Sequence, residues 1–189
     1  GILSAKYADT WLDSIIRVFS YLGSVTPSFV WAIIFLLAFG YRAQVLPTAG
    51  RISAHLSAPP TITGMYVLDG LLSGNFEVAW DCLSHLILPS VALAMGGLSQ
   101  AARITRSSMT DNVNKEYILA ATAYGVPDRR VFSKHLLKPS LIPTVSVMAL
   151  DIAMLFANAF LVELLFNYPG LSRYGTQAML NKDLNAISA

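Results

Sequence analysis

Two carboxylates stand out in this sequence because they lie in a run of residues that is otherwise apolar. Asp151 and Glu163 are the only charged residues of the segment Pro139–Phe166. Two carboxyl groups act as general acid and general base only when both reach the same bond. On one helix, a separation of 12 residues places them about 18 Å apart along the axis and about 120° apart around it. The pattern therefore gives no acid–base pair.

The other reactive side chains are equally scattered. The single cysteine, Cys82, excludes an intrachain disulfide and a Cys-x-x-Cys metal site, and we interpret it as a small apolar residue near a helix start. Ser84 and His85 lie outside any nucleophile-elbow motif, and the glycines form no phosphate-binding loop. The sequence predicts no catalytic residue, no metal site and no cofactor bound by this chain. An intramembrane enzyme is the alternative that this pattern disfavours.

The composition indicates a membrane protein. Of 189 residues, 54% are hydrophobic and 13% are charged, about half the charged fraction of an ordinary soluble domain. The net charge of +2 is too small and too scattered to predict a nucleic-acid partner. The chain begins with Gly1 rather than Met, and we interpret it as part of a larger membrane protein that is cut at both ends.

Charge-free runs predict three transmembrane helices. Val18–Tyr41 has 24 residues without a charge, which is about 36 Å of helix against a hydrocarbon core of about 30 Å. Cys82–Ala102 has 21 such residues, and Pro139–Phe166 is the third run. We therefore predict an all-α polytopic helix bundle, one transmembrane domain over residues 1–189, with spans at about 18–41, 82–102 and 139–166.

The basic residues predict the orientation. Seven Lys and Arg residues lie in 103–138, but only two lie in 42–81 and two in 167–189. The positive-inside rule then places 103–138 in the cytoplasm and the other two segments outside. We expect a multi-pass membrane protein in contact with lipid. In the external segment we expect a short interfacial helix at about Val67–Leu72; a plain loop is the alternative.

The cytoplasmic segment predicts two helices joined by a forced turn. Asn114 suits an N-cap, and Glu116 suits the first helical turn. Gly125 and Pro127 suit the end of one helix and the start of the next. The four residues Tyr117, Ala120, Ala121 and Tyr124 share one helical face. A surface loop that only follows the positive-inside rule is the alternative.

Several motifs of this chain resemble one family. "LAATAYG" at 119–125, followed by "HLLKP" at 135–139, resembles the EAA loop of ABC-importer permeases, with Leu119 in the place of the motif's Glu. Further motifs resemble the dipeptide/oligopeptide/nickel branch: "PSF" at 27–29, "LPTAG" at 46–50, "ARITRSSM" at 102–109 and "VELLFNYPGL" at 162–171. The resemblance covers essentially the whole chain.

This resemblance implies the ABC type I importer permease fold, a location in the bacterial inner membrane and a set of partners. Such a permease pairs with a second permease subunit, two cytoplasmic ATPases that bind ATP and Mg, and an external solute-binding protein. The EAA-type loop would be the coupling helix that docks on an ATPase. Its coupling residues here would be Glu116, Tyr117, Ala120, Ala121, Tyr124, Gly125, Val126, Pro127, Asp128 and Arg129. The solute stays open among peptides, nickel chelates, opines and glutathione, and a pore or scaffold subunit without ATP coupling is the alternative.

A polar line in the third span is the candidate translocation pathway. Thr144, Asp151 and Asn158 are spaced by seven residues and so share a helical face; Met154 and Leu155 lie beside it. Asp151 lies about 20 Å along the helix from Lys138, where a carboxylate costs at least about 2.5 kcal/mol unless it faces water or a partner. A hydrogen bond to a neighbouring helix is the alternative. Glu163 is expected at the outer mouth.

Overall fold

The computed structural model describes residues 1–183, which contain helices and no strand. In chain order the helices are α1 (Ile2–Lys6), α2 (Trp11–Val25), α3 (Ser28–Phe35), a π-helix (Leu36–Arg42), α4 (Tyr66–Leu72), α5 (Phe76–Val113), α6 (Glu116–Ala123), α7 (Asp128–Arg130), a second π-helix (Val131–Leu137), α8 (Lys138–Leu165) and α9 (Leu171–Leu180). The predicted all-α class is confirmed. The end of the predicted external segment, residues 184–189, lies outside the described residues.

Two helices are long and apolar enough to cross a membrane. They are Phe76–Val113 and Asp128–Leu165, each of 38 residues, and they contain the predicted spans 82–102 and 139–166. Each is about 57 Å long and so exceeds the hydrocarbon core of about 30 Å. Helix α5 therefore continues past Ala102 into the segment that the basic residues place in the cytoplasm.

The first predicted span is not one straight helix, which corrects our expectation for 18–41. Helix α2 ends at Val25, and Thr26 adopts an extended backbone (φ −81°, ψ 124°). Proline lacks an N–H and disfavours helical geometry in the residue before it, so Pro27 breaks the run. The 15 residues of α2 make about 22 Å of helix. Only as a bent pair do Trp11–Val25 and Ser28–Arg42 form a third candidate span.

The chain forms two compact units. The first comprises Gly1–Pro27 and Met95–Met154, and the second comprises Ser28–Ala94 and the chain from Leu155 onward. The core of the first unit consists of Met109, Ile118, Val131 and Leu136. The core of the second consists of Ala32, Leu88, Ala92, Val162 and Phe166. Each core joins residues distant in the sequence, so each unit is held by tertiary packing as well as by helix formation.

Candidate functional site

The predicted coupling segment forms the expected helix, turn and second helix. Helix α6 has Lys115 rather than Asn114 as its N-cap, with Glu116 in the first turn. Lys115 has an extended backbone (φ −71°, ψ 145°), so the helix starts one residue later than we expected. Gly125 has φ +75°, a left-handed conformation that penalises any residue with a Cβ. Pro127 is the N-cap of α7, so the turn is fixed by glycine and proline as predicted.

One side of α6 packs against its own unit. Ile118 is buried in the core of the first unit. Ala121 and Val126 are partly buried against the same core. Of the ten predicted coupling residues, these two pack against that core. Because this core contains Met109 of α5 and residues of the π-helix Val131–Leu137, helix α6 is anchored to both of these elements.

The opposite side of α6 is open. The other eight predicted coupling residues are exposed: Glu116, Tyr117, Ala120, Tyr124, Gly125, Pro127, Asp128 and Arg129. Tyr124 is 89% exposed, and Leu119 is 60% exposed. This exposed face, Tyr117, Ala120 and Tyr124, presents one small residue between two aromatic rings and is free to contact another protein.

A buried ion pair, which the sequence analysis did not identify, joins α2 to α5. The Nε and Nη2 atoms of Arg106 donate to the two carboxylate oxygens of Asp13 at 2.7 and 2.6 Å. Asp13 is fully buried, and it also accepts the hydroxyl proton of Ser4 and the N–H of Asp9. The fork of the guanidinium matches both oxygens of the carboxylate, which makes this a strong charge-assisted contact. Arg106 belongs to the motif "ARITRSSM", but the sequence pattern alone did not show that it binds Asp13.

The same motif also attaches α5 to α8. The hydroxyls of Thr105 and Thr144 are 2.9 Å apart and both residues are buried. Three residues after the buried Met109, the Asn112 side chain donates to the Ser140 hydroxyl at 2.9 Å. Thr144, which we predicted to line the pathway, therefore lies in a contact between helices of the first unit.

The remaining residues of the predicted polar line have different surroundings. Asp151 is partly buried, and its Oδ2 has no hydrogen-bond partner among the residues that the structure describes. Gly97 faces it from α5, so that a Cβ added there would lie 3.6 Å from Oδ2. Met154 and Asn158 are exposed. Thr144 is buried, Asp151 is partly buried and Met154 is exposed. These three residues therefore do not line one open surface.

Glu163, the predicted outer-mouth residue, stabilises the start of α9. The N–H of Ser172 donates to its Oε2 at 2.8 Å, and an acidic group at a helix N-terminus is favourable. A Cβ on Gly170 would come within 2.3 Å of the Glu163 carboxylate, so a larger residue there would have to displace the Glu163 side chain. Val162 and Phe166 are buried in the core of the second unit. The motif "VELLFNYPGL" thus brings the Glu163 carboxylate to the first turn of α9.

The segment predicted to be external is ordered by polar contacts. Asp69 accepts hydrogen bonds from the N–H and hydroxyl of Thr63 at 2.6 and 2.7 Å and from the N–H of Gly64 at 3.0 Å. These bonds, that of the Thr63 hydroxyl foremost, lower the pKa of Asp69 below its ordinary value. The Arg51 guanidinium lies 3.9 Å from the centre of the Tyr66 ring. The helix expected at Val67–Leu72 is confirmed as α4, and a plain loop is not what the chain forms here.

The described residues thus form a helical protein with two or three candidate membrane spans. One side of α6 packs against the core of the first unit, and its other side is exposed. The chain belongs to the family described as binding-protein-dependent transport system inner membrane component, which matches residues 1–189. The predicted ABC type I permease fold is that of this family, and a transport protein rather than an enzyme is what the family contains.

Individual relatives carry more specific names. The probable D,D-dipeptide transport system permease protein DdpB of Escherichia coli strain K12 is 36% identical over 187 residues, 99% of this chain and 55% of the relative. The dipeptide transport system permease protein DppB of Alkalihalophilus pseudofirmus is 34% identical over 189 residues, 100% of this chain and 56% of the relative. The oligopeptide transport system permease protein AppB of Bacillus subtilis is 29% identical over 189 residues, 100% and 54%. The chain spans about half the length of the curated relatives it matches.

Proposed function

We propose that this chain is a membrane-embedded part of a permease subunit in an ATP-driven importer of small peptides. Family membership supports the transport role, and the names of the relatives, which mention dipeptides and oligopeptides, support peptides as the solute. The observation that carries the proposal is the construction of α6. Its apolar side is packed into its own unit, while its outer face is exposed.

The proposed mechanism uses α6 as a mechanical link. ATP and Mg are bound and turned over by two cytoplasmic ATPase subunits, which contact the exposed face Tyr117, Ala120 and Tyr124. Movement of the ATPases displaces α6. Because Ile118 and Ala121 pack on the residues of α5 and of the helix leading to α8, the displacement is passed to both membrane helices. A second permease subunit completes the pathway, and an external binding protein delivers the solute.

The proposed orientation follows the basic residues and agrees with this link. With seven basic residues, 103–138 faces the cytoplasm, where ATP is available. The ordered segment around Asp69 then faces outward in the bacterial inner membrane. Labelling of single cysteines in spheroplasts tests this: a cysteine at Ala123 should resist an impermeant external reagent, and rapid labelling would reverse the orientation.

The coupling role is tested by adding bulk to the exposed face of α6. Ala120→Trp should reduce solute uptake at least tenfold and weaken recovery of ATPase subunits, because overpacking a close contact costs roughly 1–3 kcal/mol. Ala121→Trp is a poorer test, because Ala121 packs against its own unit. The matched control is Ala43→Trp, an exposed alanine outside this segment. Normal uptake and normal ATPase recovery for Ala120→Trp would contradict the coupling role.

The pathway role is tested at Asp151. Asp151→Asn keeps the shape of the side chain and removes its charge, so the complex should still assemble. Solute uptake and its pH dependence should change if the carboxylate contacts the solute or its water. Glu163→Gln is the comparison, because it changes a carboxylate that stabilises α9. Unchanged uptake at every pH in Asp151→Asn would remove Asp151 from the pathway.

A further inference from the structure

The first unit contains a cavity with an unusual charge. Its volume is about 410 Å³, within the range of about 300–1,000 Å³ of small-ligand sites. Three arginines line it, together with three serine hydroxyls: Arg17, Arg103 and Arg106, and Ser4, Ser20 and Ser107. Ser4 and Arg106 already donate to Asp13, so Arg17, Arg103, Ser20 and Ser107 supply the donors for a ligand, and guanidinium groups match the geometry of phosphate oxygens. The lining is therefore suited to an anion.

The positive charge of this cavity is not neutralised from within. The Nε and Nη2 atoms of Arg106 both donate to Asp13. The Nε atom of Arg17 lies 3.6 Å from Oδ2 of the same carboxylate. One buried aspartate thus faces two guanidiniums. Arg103 contacts the Tyr21 ring at 5.8 Å and the Ser24 hydroxyl at 3.5 Å. Among the ion pairs of residues 1–183 none involves Arg103, so the cavity keeps an excess of positive charge.

The position of the cavity in the sequence indicates where it lies in a membrane. Arg103 is the first charged residue after the 21 charge-free residues Cys82–Ala102, so the cavity lies where a spanning helix leaves the hydrocarbon core. The side of α2 that faces away from the cavity-lining residues Ile16, Arg17 and Ser20 exposes apolar side chains at helical spacing: Trp11, Ile15, Val18, Phe19 and Leu22. A helix with one such face and basic residues beside it is typical of the interface between headgroups and acyl chains.

The cavity is also preformed. Helix α2 lies so close to α5 at Gly23 that an added Cβ would be 2.0 Å from the Ser99 hydroxyl oxygen. The bidentate contact between Arg106 and Asp13 fixes the other end of the same helix pair. The walls are therefore held on two sides, which lowers the entropic cost of binding a ligand.

We propose that this cavity binds the phosphate headgroup of an anionic phospholipid, such as phosphatidylglycerol, from the cytoplasmic leaflet. Basic pockets beside membrane helices on that side suit anionic headgroups. Ile16, Tyr21 and Ile104 also line the cavity and give an acyl chain apolar contacts beside the arginines, which a free phosphate ion would not use. The inference uses the family membership and the orientation proposed above, but it does not require that the solute is a peptide.

The test measures lipid retention by the full-length protein. The protein is placed in nanodiscs that contain phosphatidylglycerol and phosphatidylcholine in equal amounts, without ATP or solute, and retained lipids are counted by native mass spectrometry. The wild type should retain phosphatidylglycerol preferentially. Arg17→Gln and Arg103→Gln should each weaken retention roughly fivefold, and the double variant more, from the value of about 1 kcal/mol for each basic residue near an anionic surface.

Controls separate this site from general attraction and from a soluble anion. Lys134→Gln removes the same charge from an exposed position outside the cavity and should leave retention unchanged. Inorganic phosphate at millimolar concentration should not displace the lipid. Equal retention by wild type and the double variant would overturn the proposal. Displacement by inorganic phosphate would also overturn it and assign the cavity to a soluble anion. Because uptake is not measured, failure of peptide import leaves this result unaffected.

Discussion

Helices α5 and α8 are both long enough to cross a membrane, yet the chain covers them to different extents. In the most apolar stretch of α5, the mean hydropathy is 1.5 and 33% of the residues are buried. In the corresponding stretch of Asp128–Leu165, mean hydropathy is 2.1 and 6% are buried. The more apolar helix is thus the less covered one. Its surface needs another apolar partner, either lipid or a second subunit.

The difference can be seen in individual residues. Leu88 and Ala92 of α5 belong to the core of the second unit, and Met109 belongs to that of the first. In the middle of α8, Leu150, Ile152 and Phe156 are 71%, 60% and 65% exposed. Residues of α5 therefore stabilise this chain, whereas the exposed residues in the middle of α8 are available for assembly. The second permease subunit proposed above would pack against this part of α8.

The largest effect is expected where the ion pair anchors α5. Arg106→Met leaves the buried Asp13 without its main partner, and removal of one member of a buried pair is destabilising by about 3 kcal/mol. The melting temperature of the purified full-length protein should fall clearly. The double variant Asp13→Asn/Arg106→Met should recover part of the loss, because it removes the uncompensated charge.

The control for this prediction is Asp111→Asn, an exposed carboxylate on the same helix. It should leave the melting temperature nearly unchanged, since isolated surface charges contribute little. If Arg106→Met and Asp111→Asn behaved alike, the ion pair would not anchor α5. If the double variant were no better than Arg106→Met, the loss would come from packing rather than from charge.

A matched pair of alanines compares the two helices directly. Ala92 of α5 is 0% exposed, so Ala92→Leu should overpack the core and destabilise the chain by about 1–3 kcal/mol. Ala149 of α8 is exposed, so Ala149→Leu should leave stability nearly unchanged and instead reduce recovery of a second permease subunit if that subunit packs there. Thermal melting and co-purification measure the two effects. Equal destabilisation by both variants would remove the distinction between α5 and α8.

The sequence predicted the helices well where hydrophobicity alone determines them. The spans within α5 and α8 follow from charge-free runs, and the turn after α6 follows from Gly125 and Pro127, whose backbone preferences are local. The first span was wrong as a straight helix, since a charge-free run does not show that Pro27 divides it. The backbone preferences of Pro27 and of the residue before it indicate a break there, but the prediction of the span used only the length of the charge-free run.

Contacts between distant residues were beyond the sequence. Asp13 and Arg106 are 93 residues apart, and nothing in their spacing predicts a pair. Thr144 had the same helical phase as Asp151, yet its hydroxyl is within hydrogen-bonding distance of that of Thr105. A helical face can be read from one sequence, but which face meets a neighbour depends on the packing of other elements.

The smallest effect is expected at the start of α5, where α4 lies so close that a Cβ on Gly70 would be 3.0 Å from the backbone nitrogen of Ala79. Asp69, adjacent to that contact, fixes the turn at Thr63 and Gly64. Because its pKa is lowered by the Thr63 hydroxyl and the backbone N–H groups, its contribution is present above the ordinary value of 3.8. This contribution is lost as the pH falls through the lowered pKa.

Amide hydrogen exchange at Thr63 and Gly64, normalised for intrinsic rates, follows this contribution. In the wild type, protection should persist from pH 7 to about pH 4 and then fall, since a protonated carboxyl accepts these bonds less well. In Asp69→Asn protection should be low throughout, with α5 itself unaffected because its helix bonds do not involve Asp69. Glu77→Gln, an exposed carboxylate in the first turn of α5, should resemble the wild type. Protection in Asp69→Asn that matches the wild type at pH 7 would show that Asp69 does not fix the turn at Thr63 and Gly64, and that this turn before α4 is held by packing alone.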